Sequence, residues 1–293
     1  MFSDAYKKAS CFTRPVVIST QFFDRSVESG CGAFVVLNDE GWIITVAHIW
    51  ESFFAYQNHA KEIADHNAKI QAIEQDQKLD AKHKRKRLAN LKINSRWITN
   101  HSFWWSYDGA QLRDVKLLPD GDLVIGRLEP FDPKLIATYP VLKDAAINFN
   151  HGTSLCRLGF PFHEIKASFD AGKNTFELAP GSLPLPLFPI EGIYTRQVLA
   201  GKSKDNKYDI KFLETSSPGL RGQSGGPIFD TKGTVWALQS RTVNFPLGFS
   251  PKVMKNGKEI EENQFLNVGW GVHIDLIVTF LRDNGVKFHL SDY

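Results

Sequence analysis

Apolar and β-branched residues recur in short runs, broken by turn-forming residues, over most of the chain. Ala33-Phe34-Val35-Val36-Leu37 and Trp42-Ile43-Ile44-Thr45-Val46 flank the polar turn Asn38-Asp39-Glu40-Gly41, a pattern that predicts a β-hairpin. Further strands are predicted over 113–118, 122–128, 153–159, 192–199, 207–214, 226–230, 234–242 and 265–273. Glycine and proline punctuate them, most densely in Gly181-Ser182-Leu183-Pro184-Leu185-Pro186-Leu187-Phe188-Pro189. So many short strands imply an all-β core, built as barrels or as a sandwich.

Two segments depart from this pattern. Residues 42–108 contain no glycine, and no proline occurs between Pro15 and Pro119. Within that stretch, 52–93 is rich in Ala, Lys, Glu, Gln and Asn, which predicts a helix or helical hairpin. Ile63, Ile70 and Ile73 mark a narrow apolar stripe, and Leu79, Leu88 and Leu91 mark a second arm. The heptad is too broken for a coiled coil. Near the C-terminus, Asp275 to Gly285 reads as a final helix, with Asp275 as N-cap and Gly285 as its stop.

Composition narrows the classes. The 293 residues are 42% hydrophobic and 23% charged, ordinary for a folded globular chain and unlike a disordered one. No apolar run approaches the ~18 residues of a membrane span. The N-terminal residues Met1 to Lys8 carry no apolar stretch behind their lysines, so no secretory signal is expected there. Cys11, Cys31 and Cys156 lack metal-type spacing and read as reduced thiols, Cys31 and Cys156 as buried hydrophobes and Cys11 as exposed; a cytoplasmic location is expected. Lys82, Lys84, Arg85, Lys86 and Arg87 account for the net charge of +3, because without them the chain would be slightly acidic. The basic character is one local patch, not a nucleic-acid-binding surface.

The sharpest chemical feature is Arg221-Gly222-Gln223-Ser224-Gly225-Gly226-Pro227. A serine hydroxyl is a weak nucleophile and needs a base to take its proton. It also needs donors for the oxyanion that forms when it attacks a carbonyl. Glycines on both sides permit a tight turn that can aim the amides of Gly222 and Ser224 at one point.

This motif resembles that of the trypsin-like (chymotrypsin-fold) serine peptidases. The resemblance asks for a histidine in a Thr-x-x-His setting after an early hairpin, which Thr45-Val46-Ala47-His48 supplies. It asks for an aspartate opening a later strand, which Asp122-Leu123-Val124-Ile125-Gly126-Arg127-Leu128 supplies. The order His48, Asp122, Ser224 is that of the family. Asp114 and Asp120 are rivals for the acid; Asp122 is preferred because it directly abuts the strand. Weaker matches to the bacterial HtrA-type and glutamyl-endopeptidase-like branches are Cys31-Gly32-Ala33-Phe34-Val35-Val36, Leu158-Gly159-Phe160-Pro161, Gly192-Ile193-Tyr194-Thr195 and Val268-Gly269-Trp270-Gly271-Val272-His273-Ile274.

The resemblance implies two six-stranded antiparallel β-barrels, chymotrypsin-like, in a single peptidase domain over 1–293. The first barrel would use about 15–51 plus 94–145, the helical insertion after the catalytic His 52–93, the second barrel 150–274 and the C-terminal helix 275–285. It implies a serine endopeptidase with Ser224 as nucleophile, His48 as base, Asp122 as its orienting partner and an oxyanion hole from the Gly222 and Ser224 amides. No metal or organic cofactor is implied. A catalytically silent pseudo-peptidase that binds peptides is the alternative, and an esterase on the same site is a third reading.

Departures from the family pattern carry their own expectations. No Ile-Val-Gly-Gly-like activation site precedes the barrel, the flanking cysteines of the digestive branch are missing, and no PDZ module is expected after the domain. Pro218 stands where Lys/Arg-specific members carry Asp, and Gln239 where glutamyl-specific members carry His. Pro218, Gln239, Ser240 and Arg241 are therefore the candidate substrate-binding residues, with Arg241 able to attract an acidic side chain. The partners expected are a protein or peptide substrate and a regulatory protein at 52–93, which would either gate the cleft or recruit that partner; neither nucleic acid nor membrane is expected. Trp97, Phe103, Trp104, Trp105 and Tyr107 read as core or lid packing.

Overall fold

The computed structural model describes residues 1–293. It opens with helix α1 (Ser3–Phe12), which buries Ala5, Ala9 and Phe12. Those positions lie on one helix face, and the face packs into a core shared with the strands that follow. Strand β1 (Thr13–Phe22) pairs antiparallel with β2 (Val27–Val36), and β2 with β3 (Trp42–Thr45). The hairpin turn before β3 is held by Asn38, whose Oδ1 accepts from the amides of Glu40 and Trp42. After a 3-10 turn at Ala47–Trp50 come helices α2 (Glu51–Gln75) and α3 (Ala81–Ala89), then β4 (Ile98–Trp104), β5 (Gln111–Leu118) and β6 (Leu123–Glu129). The sheet order β4-β1-β2-β3-β6-β5 makes a six-stranded antiparallel sheet whose edge strands β4 and β5 do not pair with each other. This half is therefore open where the sequence implied a closed barrel.

Short β7 (Val141–Leu142) leads into the second half: β8 (Ser154–Gly159), the hairpin β9 (Ala167–Asp170) and β10 (Thr175–Leu178), β11 (Phe188–Lys202), β12 (Asp209–Thr215), β13 (Pro227–Phe229) and β14 (Val235–Pro246). A second hairpin of β15 (Lys252–Lys255) and β16 (Lys258–Glu261) precedes β17 (Phe265–His273), helix α4 (Ile274–Asp283) and β18 (His289–Leu290). Strands β13-β8-β11-β12-β17-β14 follow one another, and β13 pairs again with β14, so these six close into a ring. The molecule is thus all-β at its core, one half-barrel and one closed ring, consistent with a chymotrypsin-like double barrel, with a helical insertion and a C-terminal helix.

Strands β1 and β4, the short strands β7, β9, β10, β15, β16 and β18, and helix α1 are absent from the sequence-based expectation. Pro15 lies inside β1 and four polar residues, Thr99 to Ser102, lie inside β4, which masks the alternation. Helix α4 begins one residue earlier than predicted: its N-cap is His273, whose Nδ1 accepts from the amide of Asp275, so Asp275 is not the cap. Its end is as predicted. Gly285 has φ +67° and donates to Arg282, while Val286 donates to Leu281, a Schellman motif in which only glycine fits without strain. Helix α4 buries Ile274, Leu276, Ile277, Val278, Phe280 and Leu281; each such side chain contributes about 1.5–3 kcal/mol by leaving water. No helix is long and apolar enough to cross a membrane.

Candidate active site

His48 lies on the 3-10 turn directly after β3, and Asp122 immediately before β6. Because β3 and β6 are neighbours, with Thr45 opposite Val124, the two meet across the sheet end although 74 residues separate them. Asp122 Oδ1 accepts from the His48 backbone amide at 2.9 Å, and the carboxylate faces His48 Nδ1 at 3.0 and 3.2 Å. That contact favours the tautomer with the proton on Nδ1, leaving Nε2 as an acceptor. Asp122 sits in the left-handed region, φ 51°, a conformation that aspartate tolerates better than most residues. The rivals are engaged elsewhere: Asp114 accepts from Arg127, and Asp120 from the amide of Lys204.

A third donor reaches Asp122 from the other half of the molecule. Ser240 Oγ donates to Asp122 Oδ2 at 2.5 Å. Asp122 is only 4% exposed, and burial by itself would raise its carboxyl; hydrogen bonds and charge from His48, with the Ser240 hydroxyl, outweigh that and hold it below the ordinary carboxylate range. The sequence reading placed Ser240 among substrate-binding residues, and the structure gives it this orienting contact as well. The signal for it is a β-bulge: pairing of β14 with β17 slips between Gln239 and Arg241, which turns Ser240 toward Asp122.

The turn carrying Ser224 joins the same region. The Ser224 carbonyl accepts from the Ala33 amide of β2 at 2.7 Å, tying the second barrel to the first sheet. A Cβ on Gly32 would lie 3.2 Å from that carbonyl and 3.4 Å from Ile49 Cγ2, so the Ser224 turn and the residue after His48 flank one point. Gly225 (φ +82°) has no room for a side chain, because a Cβ would overlap Ala33 O and Thr45 Oγ1. Gln223 is fully buried; its Oε1 accepts from Leu220 N at 3.0 Å and its Nε2 donates to Phe188 O at 3.3 Å, bracing the turn from within. Sequence reasoning passed over Gln223. The amides of Gly222 (φ +92°) and Ser224 donate to no protein acceptor. No hydrogen bond joins His48 to Ser224.

Ser224 opens onto a cavity of 270 Å³ lined by Gly219, Leu220, Arg221, Gln239, Ser240, Arg241 and Thr242. Gln239, Ser240 and Arg241 are thus at the cavity, whereas Pro218 is not on its wall; the adjoining Gly219 is. None of residues 52–93 lines it either. Helix α2 packs instead on the edge strand β4, where Glu62 Oε2 accepts from Trp97 Nε1 at 2.6 Å and His59 Nδ1 accepts from the Ile98 amide at 2.9 Å. Of the aromatic group after the insertion, Trp97 and Trp105 are buried, and Phe103 and Trp105 pack with Trp50. Cys156 is buried and Cys31 half-buried, and burial raises both thiols to about 11, so neither is a ready nucleophile; Cys11 is half-buried where exposure was expected. No group of three or more His, Cys, Asp or Glu side chains is placed to hold a metal ion.

No protein-family model matches the chain, and no curated protein sequence does. Among solved structures, it is similar to the Rv3671c protease of M. tuberculosis in its active form, at 11% identity and a TM-score of 0.48, covering 98% of this chain and 86% of that one. It is also similar to the HtrA-type protease AlgW with a tripeptide, at 15% identity and a TM-score of 0.46, covering 98% of this chain and 65% of that one. The chain therefore spans about two-thirds of the AlgW length. The structural neighbours are trypsin-like and HtrA-type proteases matched along nearly the whole of this chain.

Proposed function

We propose that the protein is a serine endopeptidase with Ser224 as nucleophile, His48 as general base and acid, and Asp122 as the group that fixes the imidazole. The observation that carries this reading is the set of three contacts on Asp122, from the His48 amide, the His48 ring and Ser240, beside a serine whose turn keeps two amides free. In the reaction, Ser224 Oγ attacks a peptide carbonyl as His48 Nε2 takes its proton. The tetrahedral oxyanion accepts from the Gly222 and Ser224 amides, each worth about 3 kcal/mol of transition-state stabilisation. His48 then protonates the leaving amine, and water, deprotonated by the same imidazole, hydrolyses the acyl-enzyme. The exposed strand edge near Thr242 suits an extended peptide added by main-chain pairing.

The missing hydrogen bond between His48 and Ser224 favours one second reading, a peptide-binding module without turnover. A fluorophosphonate separates the two, because it reacts only with an activated serine. Covalent labelling that maps to Ser224 and disappears in Ser224→Ala supports the peptidase; a folded protein that takes no label sinks it. Helix α3, which buries no side chain, remains the surface proposed for a regulatory protein partner.

A further inference from the structure

Six buried side-chain polar atoms in the structure have no hydrogen-bond partner, and four of them belong to residues on or adjoining the wall of the Ser224 cavity: Arg157 Nε and Nη1, Ser217 Oγ and Gln239 Oε1. Gln239 lines the cavity itself, and Ser217 is two residues before the lining residue Gly219. Arg157, on β8, is 1% exposed. Its Nη2 donates to Thr215 Oγ1, which in turn lies 3.2 Å from the carbonyls of Ser217 and Gly269. Gly269 stands opposite Thr242 in the β14–β17 pairing, and Thr242 is a wall residue whose Oγ1 donates to Gly219 O at 2.7 Å. A Cβ on Gly269 would overlap the Arg157 guanidinium, so at this point only backbone stands beside that group.

A buried guanidinium without a counter-charge is costly, and an arriving anion would relieve that cost. Here no carboxylate supplies it. Burial lowers Arg157 to about 10, and no acidic side chain offsets that. The carboxylate nearest in sequence to Thr215, Glu214, is taken up by Arg196, Thr195 and Trp270. The cavity wall carries Arg221 and Arg241 and no acid; the Arg241 guanidinium donates to Ser240 Oγ and lies over the face of Phe212, with no carboxylate partner. Two cationic side chains thus line the pocket, and a third lies behind Gly269, the strand partner of the wall residue Thr242.

Resting on the peptidase reading above, we infer that this pocket takes the side chain preceding the scissile bond and selects an aspartate or glutamate there, with Arg157 as the specificity-determining charge and Arg221 and Arg241 at the mouth. The chemistry is a charge-assisted pairing of guanidinium and carboxylate in a site where water is scarce. A neutral isostere would leave Arg157 unpaired, and a basic side chain would meet like charge.

The test uses the full chain. Fluorophosphonate labelling first reads Ser224 independently of any side-chain preference. Otherwise identical peptidyl anilides with Glu, Gln, Asp, Asn, Leu or Lys before the scissile bond are then compared, and peptidyl diphenylphosphonates with the same residues repeat the comparison without requiring turnover. The expected result is kcat/KM, or inactivation rate, on the order of a hundredfold higher for the acid than for its amide. Labelled protein with equal rates for Glu and Gln overturns the inference and leaves the peptidase reading standing; protein that takes no label overturns both. In Arg157→Met that still labels, the acid preference should vanish, and Arg157→Lys should retain part of it. An undiminished preference in labelled Arg157→Met also overturns the assignment. Where either variant loses its fold, the wild-type Glu and Gln pair decides.

Discussion

Ser240 on β14 and Asp122 at the head of β6 belong to different halves of the molecule, yet the serine hydroxyl donates to the carboxylate at 2.5 Å. The bond fixes the orientation of the group that in turn orients His48. Ser240→Ala removes one of the contacts that keep the Asp122 carboxyl low, so that carboxyl should rise and kcat should fall about tenfold, with little change in KM. Asp122→Asn should cost far more, about ten-thousandfold in kcat, because the amide no longer imposes the Nδ1–H tautomer. Steady-state kinetics on a cleaved peptide checks both; equal kcat in wild type and Asp122→Asn would remove Asp122 from the mechanism.

Gln223 carries a structural test of the turn that holds Ser224. Its side chain satisfies the Leu220 amide and the Phe188 carbonyl inside the protein. Gln223→Ala leaves both unpaired and should destabilise by about 1–3 kcal/mol, with slower fluorophosphonate labelling of Ser224 than in wild type. Urea unfolding and labelling rates measured on the same preparation distinguish a loosened turn from a merely weaker fold.

His273 sets an acid limit to stability. Burial lowers its imidazole from 6.5 to about 4. The unfolded chain therefore binds the proton first as pH drops, so the stabilisation is present above 6.5 and is lost between 6.5 and about 4. Its size is on the order of 3 kcal/mol. His101, lowered to about 4 by burial, acts in the same direction over the same window. His273→Asn keeps an N-cap acceptor for α4 but removes the titration, so denaturant midpoints should change less between pH 7 and 4.5 than in wild type. An unchanged pH dependence would show that His273 does not set it.

Helix α3 has no buried residue; Lys82, Arg85, Lys86 and Arg87 reach solvent, while Lys84 is half-buried and donates to Glu74 O at 2.6 Å. Replacing Lys82, Arg85 and Lys86 together by Glu should change stability by less than about 0.5 kcal/mol per site and leave Ser224 labelling as in wild type. Any partner recruited through this surface should be lost in a pull-down with the same variant, while Ser224→Ala retains it.

Local sequence determined most of the strand inventory, because a strand with one buried face announces itself by period and by its bounding turns. It also determined that 52–93 is helical and that α4 ends at a glycine stop, though not that α1 forms, and it set His48, Asp122 and Ser224 in recognisable settings. Tertiary structure alone decided that β3 and β6 lie side by side, that a bulge aims Ser240 at Asp122, and that Arg157 comes to rest behind Gly269. It also decided that β4 is a strand, since helix α2 covers the edge that its polar residues disguise. The division has a physical cause: periodicity and turn chemistry are written within a few residues, whereas strand order, register slips and the company of a buried charge depend on which distant segments the closing barrels press together.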